Sequence, residues 1–130
     1  MPYHFEFDSK HRILLLAYEG DVQSSEIEEA NRDMGQHVAQ LKPSVGMADL
    51  SAVKTLDVSA ETLRAAAKRP SPYPEESPRF IVAPTDYLFG MARMYEIFAD
   101  RPHGKLRVVR SLEEALAALG VRDCKFERLK

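Results

Sequence analysis

The sequence has 130 residues, 45% of them hydrophobic: enough for one domain that buries roughly two thirds of its unfolded surface, and too short for several. Its net charge of −2, from 18 basic and 20 acidic residues, excludes a general attraction to nucleic acid or to an anionic membrane, so partners must be recognised locally. Cys124 is the only cysteine, which excludes an internal disulfide; with no leader-like start in MPYHFEFD and no apolar run of spanning length, a cytoplasmic protein without a membrane span is expected.

Tyr3, Phe5 and Phe7 alternate with His4, Glu6 and Asp8, the period-two pattern of a strand with one wet face, expected at a sheet edge. After a turn at Asp8-Ser9-Lys10-His11, the continuous run Ile13-Leu14-Leu15-Leu16-Ala17 implies a strand buried on both faces and paired with the first as an antiparallel hairpin. Gly20 is expected to break that strand. Ser25 and Glu28 have capping-box spacing ahead of a helix whose apolar positions are Ile27, Ala30, Met34, Val38 and Leu41, ending before Pro43.

Val45, Met47 and Leu50 form a short apolar run between Pro43 and the Asp49-Leu50-Ser51 turn, which predicts a buried central strand ending near Leu50. In the loop beyond it Val53 and Leu56 dip back towards the core. Ser59 is the natural N-cap of the following AETLRAAAK helix, with Glu61 at the positive end of the helix dipole and Leu63 and Ala67 buried. Four prolines in nine positions, Pro70 to Pro78, then forbid regular pairing and make residues 69–78 a stiff loop.

Residues 79–83 (RFIVA) read as the next buried strand, closed by Pro84, and Thr85 caps a third helix over 86–100 with Asp86 in its first turn. A last strand over 106–109 precedes a second capping box, Ser111 with Glu114, and Gly120 stops the final helix. Strand-helix alternation of this kind calls for an α/β fold: a mixed, mostly parallel five-stranded sheet with a leading β-hairpin and about four helices. Residues 1–120 make the single domain, and 121–130 a tail or a short extra strand.

The third helix carries Tyr87, Leu88, Phe89, Met91, Met94, Tyr95, Ile97 and Phe98 around most of its circumference, unlike a lone surface helix. Three readings stay open. The helix is wedged between sheet and neighbours; or Tyr87, Phe89, Met91, Met94, Tyr95 and Phe98 present a face to a second copy or another protein; or Phe89, Met94 and Phe98 line a pocket for a lipophilic or aromatic ligand. Gly90 allows close helix approach in each.

Polar residues should gather at the carboxyl ends of parallel strands: Glu19 and Asp21, Asp49 and Ser51, Thr85 and Asp86, Arg110 and Ser111. The mixture invites a metal or phosphoryl-transfer reading, but helix starts need these residue types, and capping accounts for Ser25, Ser59, Thr85 and Ser111 without chemistry. His4, His11, His37 and His103 form no pair at metal-ligand spacing, Cys124 lacks a partner histidine motif, and there is no Gly-rich phosphate loop or Gly-x-Ser-x-Gly elbow. Basic residues are dispersed, against a nucleic-acid groove. No catalytic residue, cofactor or metal is expected.

The run Ala48-Asp49-Leu50-Ser51-Ala52-Val53-Lys54-Thr55-Leu56-Asp57-Val58-Ser59-Ala60 resembles the central motif of the STAS family, the sulfate-transporter and anti-sigma-factor-antagonist modules. Asp49, Leu50, Ser51, Val53, Leu56, Asp57 and Ser59 match; Val58 and Ala60 stand where the motif has Ser and Gly. The order of elements extends the likeness over most of residues 3–120, and the wording is most similar to the SpoIIAA-like branch, which is also grouped with the lipid-binding CRAL-TRIO/Sec14 fold. The resemblance implies a non-enzymatic regulatory or protein-interaction module. Ser59 occupies the phosphoacceptor position of kinase-regulated members, Asp49, Ser51, Asp57 and Ser59 form the candidate partner surface, and the third-helix face is the candidate homodimer contact. The alternative it implies is a carrier or sensor of a small lipophilic ligand.

Overall fold

The computed structural model describes residues 2–99 and 105–129. In chain order the elements are β1 (Tyr3–Asp8), β2 (Ile13–Gln23), α1 (Ser24–Leu41), β3 (Val45–Asp57), α2 (Ala60–Lys68), β4 (Arg79–Val82), α3 (Asp86–Ala99), β5 (Leu106–Val109), α4 (Leu112–Leu119) and β6 (Glu127–Arg128). The sheet runs β5-β4-β3-β2-β1-β6. β2 to β5 are mutually parallel, while β1 is antiparallel to β2 and to β6, so the sheet is mixed and mostly parallel. The leading hairpin forms as expected, with Phe5 opposite Leu16 and Phe7 opposite Leu14. The extra strand considered for residues 121–130 is present as β6, which pairs with Glu6 and Phe7 and thereby covers part of the edge assigned to β1.

Three local expectations are corrected. Gly20 does not break β2; with φ of +69° it lies at a register irregularity, and the strand continues to Gln23. Nor does β3 stop near Leu50. It runs on to Asp57, paired with β2 as far as Gln23↔Asp57 and well past its last β4 pairing at Asp49↔Val82. The residues read as a loop dipping into the core are strand: Val22 and Leu56 are register partners and both buried, and on the wet side Thr55 donates to Asp21 at 2.7 Å. Because β2 is longer, α1 begins one residue ahead of the predicted cap. Gln23 is the N-cap and its N–H donates to Glu26 at 2.8 Å, in place of the Ser25 and Glu28 box.

The other starts hold as predicted: Ser59 Oγ accepts from the Thr62 N–H at 3.1 Å, Thr85 Oγ1 from Leu88 at 3.2 Å, and Ser111 Oγ from Glu114 at 3.1 Å. Alternation along the strands divides the core into two layers. Leu14, Leu16, Tyr18 and Leu50 face the side of α1, α2 and α3, while Ile13, Leu15, Val45, Met47, Phe80 and Val82 face Ala115 of α4.

The 121–129 segment is pinned by Asp8, which is 2% exposed. One carboxylate oxygen accepts from the Lys10 and His11 amides at 2.9 and 3.2 Å; the other lies 2.9 Å from His11 Nδ1 and accepts from the Lys125 amide at 3.2 Å. Burial opposes this charge, but the bonds from the Cys124 thiol, the His11 ring and the two amides of His11 and Lys125 outweigh it and hold the carboxyl well below the usual range. Burial, then the bond and charge of Asp8, push the Cys124 thiol up to about 12, which leaves it protonated and unreactive at neutral pH.

Candidate functional site

Two regions of the molecule have the makings of a site, one just beyond the carboxyl end of β3 and one along its length. The first is where β2 and β3 end together. Since Gln23 and Asp57 are register partners, α1 and α2 start side by side, and the Ser59 amide donates to Ser24 Oγ at 3.4 Å. Ser59 is exposed; besides capping α2, its hydroxyl donates to Thr62 Oγ1 at 2.9 Å. Gln23, Ser24, Ser25, Asp57, Val58 and Ser59 line a shallow polar hollow between the two helix starts. Val58 is buried among core residues that also include Leu56 and Leu63, so the hydrophobic residue standing where the motif has Ser anchors the helix start from below.

Asp57 and Ser59 are therefore together, but Asp49 and Ser51 are not with them. At about 3.3 Å per extended residue, the six steps from Ser51 to Asp57 separate the pairs by about 20 Å. Asp49 and Ser51 are instead bonded to each other, Ser51 donating through Oγ at 2.5 Å and through N–H at 2.9 Å. Asp86 likewise pairs with Arg110 at 2.9 Å. The polar residues at the strand ends thus resolve into local pairs, and among the described residues no group of three or more His, Cys, Asp or Glu side chains can hold a metal ion. His103 lies outside the described residues.

The side chains of α3 divide three ways. Leu88 and Ala92 are buried, Tyr87, Met94 and Ile97 are exposed, and Phe89, Met91, Tyr95 and Phe98 are half-buried. Of the exposed three, Tyr87 is tethered, its hydroxyl donating to the Leu56 carbonyl at 3.0 Å. The Phe89 ring lies under the Arg110 guanidinium at 4.0 Å and the Phe98 ring under that of Arg64 at 4.9 Å. Met91 and Tyr95, rather than Phe89, Met94 or Phe98, are the α3 aromatic and methionine side chains that line a cavity.

The second region is the cavity that Met91 and Tyr95 do line, about 710 Å³ between the sheet and α1, α2 and α3. Its origin is a run of small residues. Where β2 presents Leu14 and Leu16, their register partners on β3 are Gly46 and Ala48, while α1, α2 and α3 contribute Gly35, Ala66, Ala67, Ala92 and Ala99 to the walls. Leu50, Leu56, Leu63 and Ile81 make the remaining lining largely apolar. The Pro-rich segment lines the cavity through Pro70, Ser71 and Pro72, and Tyr73 seats its ring tip on Gly46 so closely that a methyl there would meet the ring. Burial pushes the hydroxyls of Tyr73 and Tyr18 up from their ordinary range. Arg69, Ser71 and Arg79 also line the cavity, Arg79 Nη1 donating to Ser71 Oγ at 3.3 Å. Alternating Gly46 and Ala48 in a central strand was the one sequence signal of this space, since such positions ordinarily carry large residues.

No protein-family profile and no curated protein matches the chain. Solved structures do. An uncharacterised DUF3478-family protein with a SpoIIAA-like fold from Shewanella loihica PV-4 superposes with a TM-score of 0.58 at 16% identity, over 90% of this chain and 91% of that one. The anti-sigma factor antagonist SpoIIAA in its unphosphorylated form gives 0.52 at 12% identity, over 92% and 99%. The Bacillus cell fate determinant SpoIIAA in the phosphorylated form gives 0.52 at 11% identity, over 90% and 98%. At these identities the likeness is one of architecture, and it agrees with the strand order: the chain has a STAS/SpoIIAA-like fold.

Proposed function

We propose that this protein is a non-enzymatic STAS-like regulatory or protein-interaction module, docking a partner at the end of the β2-β3 ribbon with Ser59 as the phosphoacceptor. The carrying observation is an exposed hydroxyl fixed at one helix start and flanked by another. A phosphate on Ser59 would bring about −1.5 to −2 charges to the positive ends of two helices, which favours it, while Asp57 and Glu61 oppose it. The phosphate would replace the O–H that Ser59 donates to Thr62 Oγ1 while keeping an acceptor oxygen for the Thr62 amide. A partner shaped for the neutral cap would have to desolvate a dianion, and binding would be lost. That one compared protein is known in both unphosphorylated and phosphorylated forms supports this reading. Asp49 and Ser51 form a second patch along the same strand, and Met94 and Ile97 the exposed strip on which a homodimer would close. The single cysteine suits a cytoplasmic setting.

Incubation with kinases from the host, followed by phosphosite mapping, tests the reading. Label at Ser59 that disappears in Ser59→Ala supports it; label on other substrates with none at Ser59 rejects it. A second reading, a carrier or sensor of a small lipophilic ligand, is favoured by the apolar cavity, whose volume falls in the about 300–1,000 Å³ range of small-molecule sites. Native mass spectrometry of protein taken from cells distinguishes a bound small molecule from a dimer mass.

A further inference from the structure

We propose that the cavity takes a neutral, elongated hydrocarbon molecule with a carbonyl oxygen at each end, one accepting from the Tyr18 hydroxyl and the other from the Tyr73 hydroxyl; this rests on the carrier reading. The polar groups of the lining differ in depth. Arg32 and Arg69 are exposed, Asn31 and Tyr95 are half-buried, Arg79 donates to Ser71, and Glu96 pairs with Arg93 at 2.5 Å. Tyr18 and Tyr73 are the buried ones, 5% and 8% exposed. Elsewhere a phenol finds its partner: Tyr3 donates to Asp33 at 2.6 Å, and Tyr87 to the Leu56 carbonyl. Neither the Tyr18 nor the Tyr73 hydroxyl has a hydrogen-bond partner among the described residues, and the bond from Tyr73 to Ser71 Oγ comes from its backbone N–H. A buried hydroxyl left unpaired is costly, so two of them on one cavity call for acceptors from outside the chain.

Their positions set the length of the molecule. Gly46, under the Tyr73 ring tip, is the register partner of Leu14, and Tyr18 lies four residues further along β2, so about 13 Å of strand separates the two levels. The row between them is Leu16, Ala48 and Ile81, which offers a ligand only apolar contact. The phenols set the chemistry of the ends. Burial is the main cause that pushes both hydroxyls up, so they stay protonated and donate. A carbonyl oxygen accepts such a bond and brings no donor of its own, whereas a ligand hydroxyl would need a second acceptor, and a charged end would be desolvated against a neutral group.

The test titrates the intact protein with two probes built on a dodecane chain: the diketone with a carbonyl next to each terminal methyl, whose oxygens stand about that far apart when extended, and the monoketone with only one. Calorimetry gives affinity and native mass spectrometry the stoichiometry. Expected is one diketone per chain, with Tyr18→Phe and Tyr73→Phe each lowering its affinity about tenfold. The monoketone can reverse its direction, so either single variant should change its affinity less than about threefold and the double variant about tenfold. Without ligand both Phe variants should melt no lower than the parent, since each loses a hydroxyl that no protein group bonds. Ala48→Phe, which places a ring in the middle of the cavity, should abolish binding of both probes. Diketone affinity unchanged in the folded double variant, or a lower melting temperature for both single variants, would overturn the two-ended recognition and leave the carrier reading in place. Binding that persists in folded Ala48→Phe would overturn the placement in the cavity, and no binding of either probe by the folded parent would overturn both readings.

Discussion

The seat of Tyr73 on Gly46 gives a quantitative prediction. A Cβ at residue 46 would lie 2.4 Å from Tyr73 Cζ, 2.6 Å from its hydroxyl oxygen and 2.8 Å from Cε2, all well inside van der Waals contact. The ring cannot retreat cheaply, because Tyr73 is buried on a segment stiffened by Pro70, Pro72 and Pro74. Gly46→Ala should therefore cost about 1–3 kcal/mol of overpacking, offset by about 0.5–1 kcal/mol from the lower chain entropy of alanine in a strand, for a net loss of about 0–2.5 kcal/mol. Tyr73→Ala alone removes a buried aromatic and should cost about 3 kcal/mol. In that background the methyl meets no ring, and Gly46→Ala should turn neutral or slightly stabilising. The double-mutant cycle thus predicts a coupling of about 2 kcal/mol, read from urea unfolding of the four proteins at a common m-value. Costs that add to within about 0.5 kcal/mol would refute the claimed contact.

Asp8→Asn should destabilise the fold by about 2–4 kcal/mol at pH 7, since a buried charged acceptor of several bonds becomes a neutral amide. Because the folded carboxyl titrates below its unfolded value, its contribution is complete above about pH 5 and is lost as pH falls through the carboxylate range; unfolding curves of the Asn variant should show a shallower acid-side decline, and parallel declines would count against the clamp. Ser59→Ala should cost about 0.5–2 kcal/mol through the lost cap while Ser59→Asp retains most of it, a difference visible in thermal melts; equal losses would show that the hydroxyl contributes nothing to the helix start. Met94→Glu with Ile97→Glu should convert a dimer to monomer in light scattering without lowering thermal stability, because both side chains are exposed, and a dimer that survives would exclude this strip.

Sequence reasoning succeeded where one residue type admits one job. Continuous apolar runs gave β2, β3 and β4 as buried strands, and Ser or Thr ahead of a helix-forming run gave the caps at Ser59, Thr85 and Ser111. It failed where a residue admits two. Asp49-Leu50-Ser51 reads as a turn because Asp and Ser favour turns, yet here the Asp49–Ser51 bond forms within β3, and the parallel pairing to β2 carries the strand on to Asp57. Gly20 reads as a breaker but is absorbed at a strand irregularity. The hydrophobic girdle of α3 identified a helix with more than one neighbour, but not which residue met which: the cavity face depends on rotation about the helix axis, and that is set by the packing of α3 on α2 and β5. Asp8 reads as a turn residue. Its second task, binding a segment 117 positions away, has no local signature.

The overhang of β3 beyond its last pairing with β4 has a further consequence. From Leu50 to Asp57 the only strand beside it among the described residues is β2, so one rim of backbone donors and acceptors has no strand partner. A rim of this kind invites adhesion between molecules, and here several features blunt it: the irregular register, the exposed Lys54, acidic residues at both ends, and the Tyr87 phenol occupying the Leu56 oxygen. Amides along this rim should exchange with deuterium sooner than those between Gly46 and Asp49, and neutralising Lys54 together with removing the Tyr87 phenol should be the shortest route to aggregates.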